Sequence, residues 1–229
     1  MRVMISTPAY GGLLTVNYLS SMLDTIARFF QERVEYNVLT IANESLISRA
    51  RNISATMAME KGYDKLVFID SDIGWKWEQL AALLRSDKLV VGGTYPLKQL
   101  PLSLNYNVFP EHERLFAQNG VKSYEAHAEF GKLSDPSTRE IAVRDIPTGF
   151  MVIDTRVLRA LREKVAAYTD YRIGLPTQSV SDFFPVRVRD GILESEDWAF
   201  CSLCREHGIP VYLNTAVVVS HTGSFVYGG

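Results

Sequence analysis

Between residues 2 and 92, short apolar runs alternate with longer stretches of helical period, and this alternation narrows the fold more than any other feature. Residues 2–6, 34–41, 65–69 and 89–92 have the length and composition of strands. Residues 15–32, 45–61 and 77–85 have the spacing of helices. In the first helix Val16, Leu19, Leu23, Ile26 and Phe30 fall on one face. In the second, Leu46, Ala50, Ile53 and Met57 do, and Gly62 supplies the stop. Strand–helix–strand links this short predict a mostly parallel central sheet covered by helices on both faces.

The pattern changes at Pro96. Residues 96–146 hold short β-like pieces, prolines and polar turns, and are expected to form a small antiparallel insertion. Residues 147–154 then give a strand, 155–168 a helix, 170–190 a loop suited to substrate contacts, 196–207 a helix, and 211–213 and 216–220 the last strands. No repeat, linker or low-complexity segment divides the 229 residues, so one α/β domain is expected. Hydrophobic residues at 47% and charged residues at 22% support a sizeable core. The net charge of −2, with no basic tract, argues against nucleic-acid binding. The start MRVMISTPAYGG is not a signal peptide, and no apolar run is long enough to span a membrane, so a cytoplasmic protein is expected. The Gly228-Gly229 end, without a capping element, suggests a piece of a longer polypeptide. Cys201 and Cys204 supply half a structural zinc site at most and are expected to pack inside a helix.

Chemistry-bearing residues gather where strands end. The strand 65–69 runs into Asp70-Ser71-Asp72, at the edge where open α/β sheets bind ligands. Two carboxylates there suit a divalent cation that neutralises a diphosphate, although a strand-terminating turn uses the same residues. His221 follows the last strand and could complete a site with Asp72; a carboxylate–imidazole set favours Mn2+ over Mg2+. Glu196 and Asp197 open a helix behind Ser195. They could stabilise its first turn, or one could act as base toward a hydroxyl, with Asp197 the first choice. Arg49, Arg51 and Asn52 lie on the second helix, where a nucleobase or phosphate could meet them or solvent could. Thr7-Pro8-Ala9-Tyr10 and two glycines follow the first strand and could cradle a base. They form neither a dinucleotide fingerprint nor a Walker loop. Gly92–Lys98 and Pro147–Phe150 are weaker candidates for the acceptor side.

Taken in order, these motifs resemble the GT-A fold glycosyltransferases of the family 2-like branch, and within it the small viral domains that glycosylate a chlorella-virus capsid. The resemblance implies a nucleotide-binding half over residues 1–95 and an acceptor half over 96–229. It implies a metal-dependent transfer of a hexose or deoxyhexose from a UDP-sugar to a glycan or glycoprotein acceptor. Asp72 and His221 would hold Mn2+, or Mg2+ as the alternative, with Asp70 close by on the ribose or the donor sugar. Thr7, Pro8, Ala9 and Tyr10 would surround the uracil, helped by Arg49, Arg51, Asn52 and Ser71. Asp197 or Glu196 would act on the acceptor. Residues 96–146 and 170–190 match no motif of the family. A nucleotidyltransferase, a glycoside hydrolase and a non-catalytic carbohydrate-binding protein are the competing readings.

Overall fold

The computed structural model describes residues 1–116, 121–171 and 178–223. The elements are, in chain order, β1 (Arg2–Ala9), α1 (Val16–Gln31), β2 (Glu35–Ala42), α2 (Ile47–Glu60), β3 (Lys65–Ile69), β4 (Ile73–Gly74), α3 (Trp77–Arg85) and β5 (Val90–Thr94). Next come α4 (Pro110–Glu113), α5 (Tyr124–Gly131), β6 (Glu140–Val143), β7 (Phe150–Asp154), α6 (Thr155–Leu161), β8 (Ala167–Thr169) and β9 (Ser179–Ser181). The chain closes with β10 (Arg187–Arg189), β11 (Ile192–Glu194), α7 (Glu196–Glu206), β12 (Val211–Val218) and β13 (Ser220–His221). The expectation attached to Gly228-Gly229 lies outside the described residues.

Seven strands form one sheet in the order β2-β1-β3-β7-β5-β12-β6. β2, β1, β3, β5 and β12 run one way; β7 and β6 run the other. The predicted α/β class, mostly parallel and with helices on both faces, is what the chain adopts. Every residue of β5 and β7 is buried, as are four of the five in β3, because helices cover both sides of the sheet. Val3, Ile5, Val67 and Val152 point to the layer of α1 and α3. Met4, Leu66, Phe68 and Met151 point to the layer of α2, α5, α6 and α7. Among the described residues no helix is long and apolar enough to cross a membrane.

Several segments depart from the sequence pattern. The strand at 150–154 is antiparallel to both its neighbours, a direction that its uniform apolar composition does not encode. Residues 124–131 form a helix capped by the Ser123 hydroxyl, inside a region that suggested β pieces. The helix expected over 155–168 ends at Leu161, passes through a 3-10 turn, and gives way to β8.

The first helix is turned about its axis relative to expectation. It buries Tyr18, Met22, Thr25 and Phe29. Val16, Leu19, Leu23 and Phe30 stand 49–83% exposed. The helix carries two apolar stripes, and polar bonds select between them. The Tyr18 hydroxyl meets Thr7 Oγ1 at 2.6 Å, and the Trp75 indole N–H donates to Thr25 Oγ1 at 2.9 Å. The Ser21 hydroxyl accepts from the Trp75 backbone N–H. Buried groups that need partners find them only with this face inward. Phe29→Ala is therefore expected to lower unfolding stability by about 3–5 kcal/mol. Asp24→Ala, on the solvent flank, should stay within about 0.5 kcal/mol. Denaturant unfolding checks both, and equal losses would contradict the orientation.

Candidate functional site

The C-terminal ends of β1, β3, β5 and β12 meet the starting end of β7 along one edge of the sheet. Asp70 follows β3 directly, and its backbone N–H donates to Gly149 O at 3.0 Å. A Cβ built on Gly149 would lie 2.7 Å from Asp70 Oδ2 and also overlap the Tyr95 hydroxyl. The glycine thus makes room for the Asp70 carboxylate and the Tyr95 phenol.

Arg51 reaches this edge from α2. Its side chain is 3% exposed, and it bridges two carboxylates. Nη2 donates to Asp70 Oδ1 at 3.0 Å, and Nε to Glu196 Oε1 at 3.1 Å. Burial works against its charge, but Asp70 and Glu196 outweigh burial and keep it cationic. Nη1 is buried without a hydrogen-bond partner.

Asp197 sits beside this network. Its Oδ1 accepts from the Ser195 hydroxyl and from the Trp198 N–H, so Ser195 serves Asp197 instead of capping α7 by its side chain. Burial first, and the charge of Glu196 second, push the Asp197 carboxyl up to about 6. Such a carboxyl changes state close to neutral pH, as a general base requires.

Asp72 and His221 are 149 residues apart in the chain and adjacent in space. β4 and β13 form a two-residue ribbon that pairs Ile73 with His221, and the Thr222 N–H donates to Asp72 O at 2.8 Å. His221 Nε2 stands 3.6 Å from Asp72 Oδ2. Nδ1 is 2.8 Å from Pro96 O; a carbonyl only accepts, so Nδ1 carries a proton. That leaves Nε2 as the ring nitrogen that faces Asp72. The Lys98 ammonium also lies on Asp72 Oδ2, at 2.5 Å. Burial opposes the charge on Asp72, but His221 and Lys98 bring its pKa down to about 2. Among the described residues no group of three or more His, Cys, Asp or Glu side chains is placed to hold a metal ion.

The other sequence candidates fall as follows. Thr7 is fully buried and tied to Tyr18, Ala9 is buried, and Pro8 is half-buried. Tyr10 projects from a 3-10 turn with 75% of its surface exposed. The Ser71 carbonyl accepts from the backbone N–H and hydroxyl of Thr15, which anchors the start of α1. Arg49 pairs with Glu44. Asn52 has another task than a nucleobase: its amide donates to Asp182 Oδ1 at 2.7 Å and accepts from the Phe184 N–H at 2.8 Å, fixing that loop. Cys201 and Cys204 are free thiols buried in α7, as expected of packing residues. His127 bonds Tyr106 and Thr215 inside the core. Sequence reasoning missed Tyr95 and Lys98 as individual residues. It noted their segment, but no periodicity marks which of its side chains turn toward Asp70 and Asp72.

The fold class these features define is α/β, a seven-stranded, mostly parallel sheet with helices on both faces. No family model and no curated protein matches the chain. Among solved structures, the chain is similar to A197 from STIV, at 17% identity over 98% of this chain and 87% of that one, with a TM-score of 0.53. Lower similarities include GalNAc-T7 with UDP, GalNAc and Mn2+ (11% identity, 96% of this chain, TM-score 0.47) and S. aureus TarS 1-349 (12% identity, 97% of this chain, TM-score 0.40). The chain spans 44% and 60% of those two chains. At these identities the likeness to A197 concerns the fold alone, and the other two lie below the level that bears on it.

Two outcomes test the site geometry. Gly149→Ala should cost about 1–3 kcal/mol by overpacking against Asp70 and Tyr95; an unchanged melting temperature would contradict the packing. For Asp197 the raised pKa means that the folded state binds an extra proton between about pH 3.9 and 6, so its contribution to stability falls as pH rises through that window. Asp197→Asn should therefore be more stable than the parent at pH 7.5, by up to about 3 kcal/mol, and equal to it near pH 4. A loss of stability at pH 7.5 would refute the raised pKa.

Proposed function

We propose that the protein is a metal-dependent glycosyltransferase that moves a hexose or deoxyhexose from a UDP-sugar to a carbohydrate acceptor. The observation that carries this reading is the convergence of Asp72 and His221 at the sheet edge where Asp197 lies half-buried beside Glu196. The donor set is one carboxylate and one imidazole, a pair that favours Mn2+: the Pro96 carbonyl engages the far ring nitrogen, and Asp72 Oδ2 already draws the Lys98 ammonium. Asp72 and His221 would hold the ion. When bound, it would supply positive charge to the leaving diphosphate.

The chain's own residues account for the remaining roles. Tyr10 offers an exposed ring beside which a uracil can stack, and Pro8, Ala9 and Thr7 give the backbone of that wall. The unpartnered Nη1 of Arg51 provides a donor for an oxygen of the nucleotide or sugar, while Asp70 and Glu196 fix the guanidinium. Asp197 takes the proton of the acceptor hydroxyl as the oxygen bonds to the anomeric carbon and the bond from that carbon to the diphosphate breaks. Trp198, the next residue, lines a cavity of about 520 Å³ together with Glu194, Arg189 and Arg205. An indole ring among carboxylates and guanidinia suits the apolar face and hydroxyls of a sugar. Residues 1–95 form the donor half and 96–229 the acceptor half in this scheme. A viral glycoprotein glycan, modified in the host cytoplasm, is the acceptor class that the sequence resemblance suggests.

The test is thermal unfolding with UDP, with and without Mn2+. Saturation at about 100 times the dissociation constant adds roughly 2.7 kcal/mol. A shift that needs Mn2+ and disappears in Asp72→Ala is expected. Asp197→Asn should keep that shift and lose sugar transfer. An equal shift in Asp72→Ala would remove the metal role, and no shift with any uridine nucleotide would remove the donor assignment.

A further inference from the structure

We infer that the outer edge formed by β2 and α1 is a two-fold interface with a second copy of this chain. Two independent features of that edge lead there, and neither belongs to the site described above.

The first is the strand. β2 is the terminal strand of the sheet and, among the described residues, pairs only with β1. It is eight residues long, EYNVLTIA, with no proline, no lysine and no irregularity in its register with β1. Edge strands of monomers are normally short, bulged, or blocked by charge, because a free row of backbone N–H and C=O groups recruits another strand. Here the strand's one charged side chain is Glu35 at its first position, and Arg2 already neutralises it at 2.8 Å. The other edge strand, β6, has four residues, which leaves β2, among the described residues, as the long, unprotected edge.

The second is the helix beside it. Val16, Leu19, Leu23, Ile26 and Phe30 recur at alternating steps of three and four, the spacing of a helix–helix seam. Val16 is 77% exposed and Phe30 83%, more than a helix without a partner would leave in water. The seam lies roughly a third of a turn from the buried stripe of Tyr18, Met22 and Phe29. The opposite flank of α1 faces inward along the sheet: Asn17 reaches Thr222, Ser21 reaches Trp75, and Glu32 pairs with Arg85 of α3. The seam therefore points sideways, out past β2.

A second copy fits both features at once. A two-fold axis perpendicular to the sheet joins β2 to its mate in antiparallel pairing and keeps each sheet face on its own side. That operation sets α1 against the α1 of the other copy. It carries Glu35 away from the Glu35 of the mate, so no like charges meet. Sixteen helical residues extend about 24 Å and eight strand residues about 27 Å. An edge of that length and about two layers deep buries on the order of 1,000 Å² in all, the lower bound for a stable interface. A lone peptide added to β2 would satisfy the strand but leave the helix seam in water.

Sedimentation across about 1 to 100 μM, the range in which a small interface dissociates, tests the proposal on the full chain. The parent should approach twice the chain mass at the upper end. Leu23→Glu in the seam and, separately, Thr40→Lys on the strand edge should each raise the dissociation constant at least tenfold. Asp87→Lys, exposed on the loop after α3, should leave it unchanged. Both test positions are exposed, so melting temperatures near that of the parent verify folding, and Thr40→Lys decides the matter if Leu23→Glu folds poorly. A parent that stays monomeric throughout, or a dimer indifferent to both substitutions, overturns the inference.

Discussion

A single buried guanidinium organises the site. Arg51 lies in α2 with its charge removed from water, and such a charge is tolerated only where carboxylates meet it in good geometry. Its partners come from the end of β3 and the start of α7, 19 and 145 residues away in the chain. Three elements are thus held by one side chain at the edge where ligands bind. The ring of Phe68, with the guanidinium carbon 5.3 Å from its centroid, closes one side of the group.

The two neighbouring acids inherit opposite environments from this arrangement. Asp197 stands beside Glu196, whose charge Arg51 shares with Asp70, and burial with residual repulsion lifts Asp197 to about 6. Asp72 lies outside the reach of Arg51 and is served by Lys98 and His221, which hold it near 2. Two carboxylates along one edge thus stand in opposite environments, one pushed up by burial and a neighbouring charge and the other held down by cationic neighbours. One can exchange a proton near neutrality, and the other stays an anion suited to a cation.

Much of this was legible in the sequence because it rests on local pattern. Strands β3 and β5 stand where apolar runs predict them, and Asp70 and Asp72 follow from a run that ends in carboxylates; β1 runs on past residue 6 and takes in Thr7, Pro8 and Ala9, which the sequence suggested as a loop. His221 was placed with Asp72 by the logic of strand ends, while the ribbon that brings them together, two residues per strand, is too short to leave a pattern. The orientation of α1 was not legible. Two stripes competed, and the choice was made by hydrogen bonds with Thr7 and Trp75, which lie outside the helix and leave no mark on its periodicity. Asn52 misled for a related reason: a polar residue on a helix suggests a ligand or solvent, yet this one is buried against a loop 130 residues further on.

The antiparallel β7 has a consequence that composition conceals. In a wholly parallel sheet every strand would bring its C-terminal end to the binding edge. A reversed strand brings its beginning there instead, so residues 148–150 come to lie between the ends of β3 and β5. The incoming backbone must pass close to Asp70, and glycine at 149 permits this because a Cβ would occupy the space of the carboxylate and of Tyr95. Tyr95 in turn packs its ring against His221, with centroids 4.9 Å apart. The reversal of one central strand thus sets the wall on which both the Asp70 carboxylate and the His221 imidazole lean, and it links the guanidinium network to the Asp72 pair without a direct bond between them.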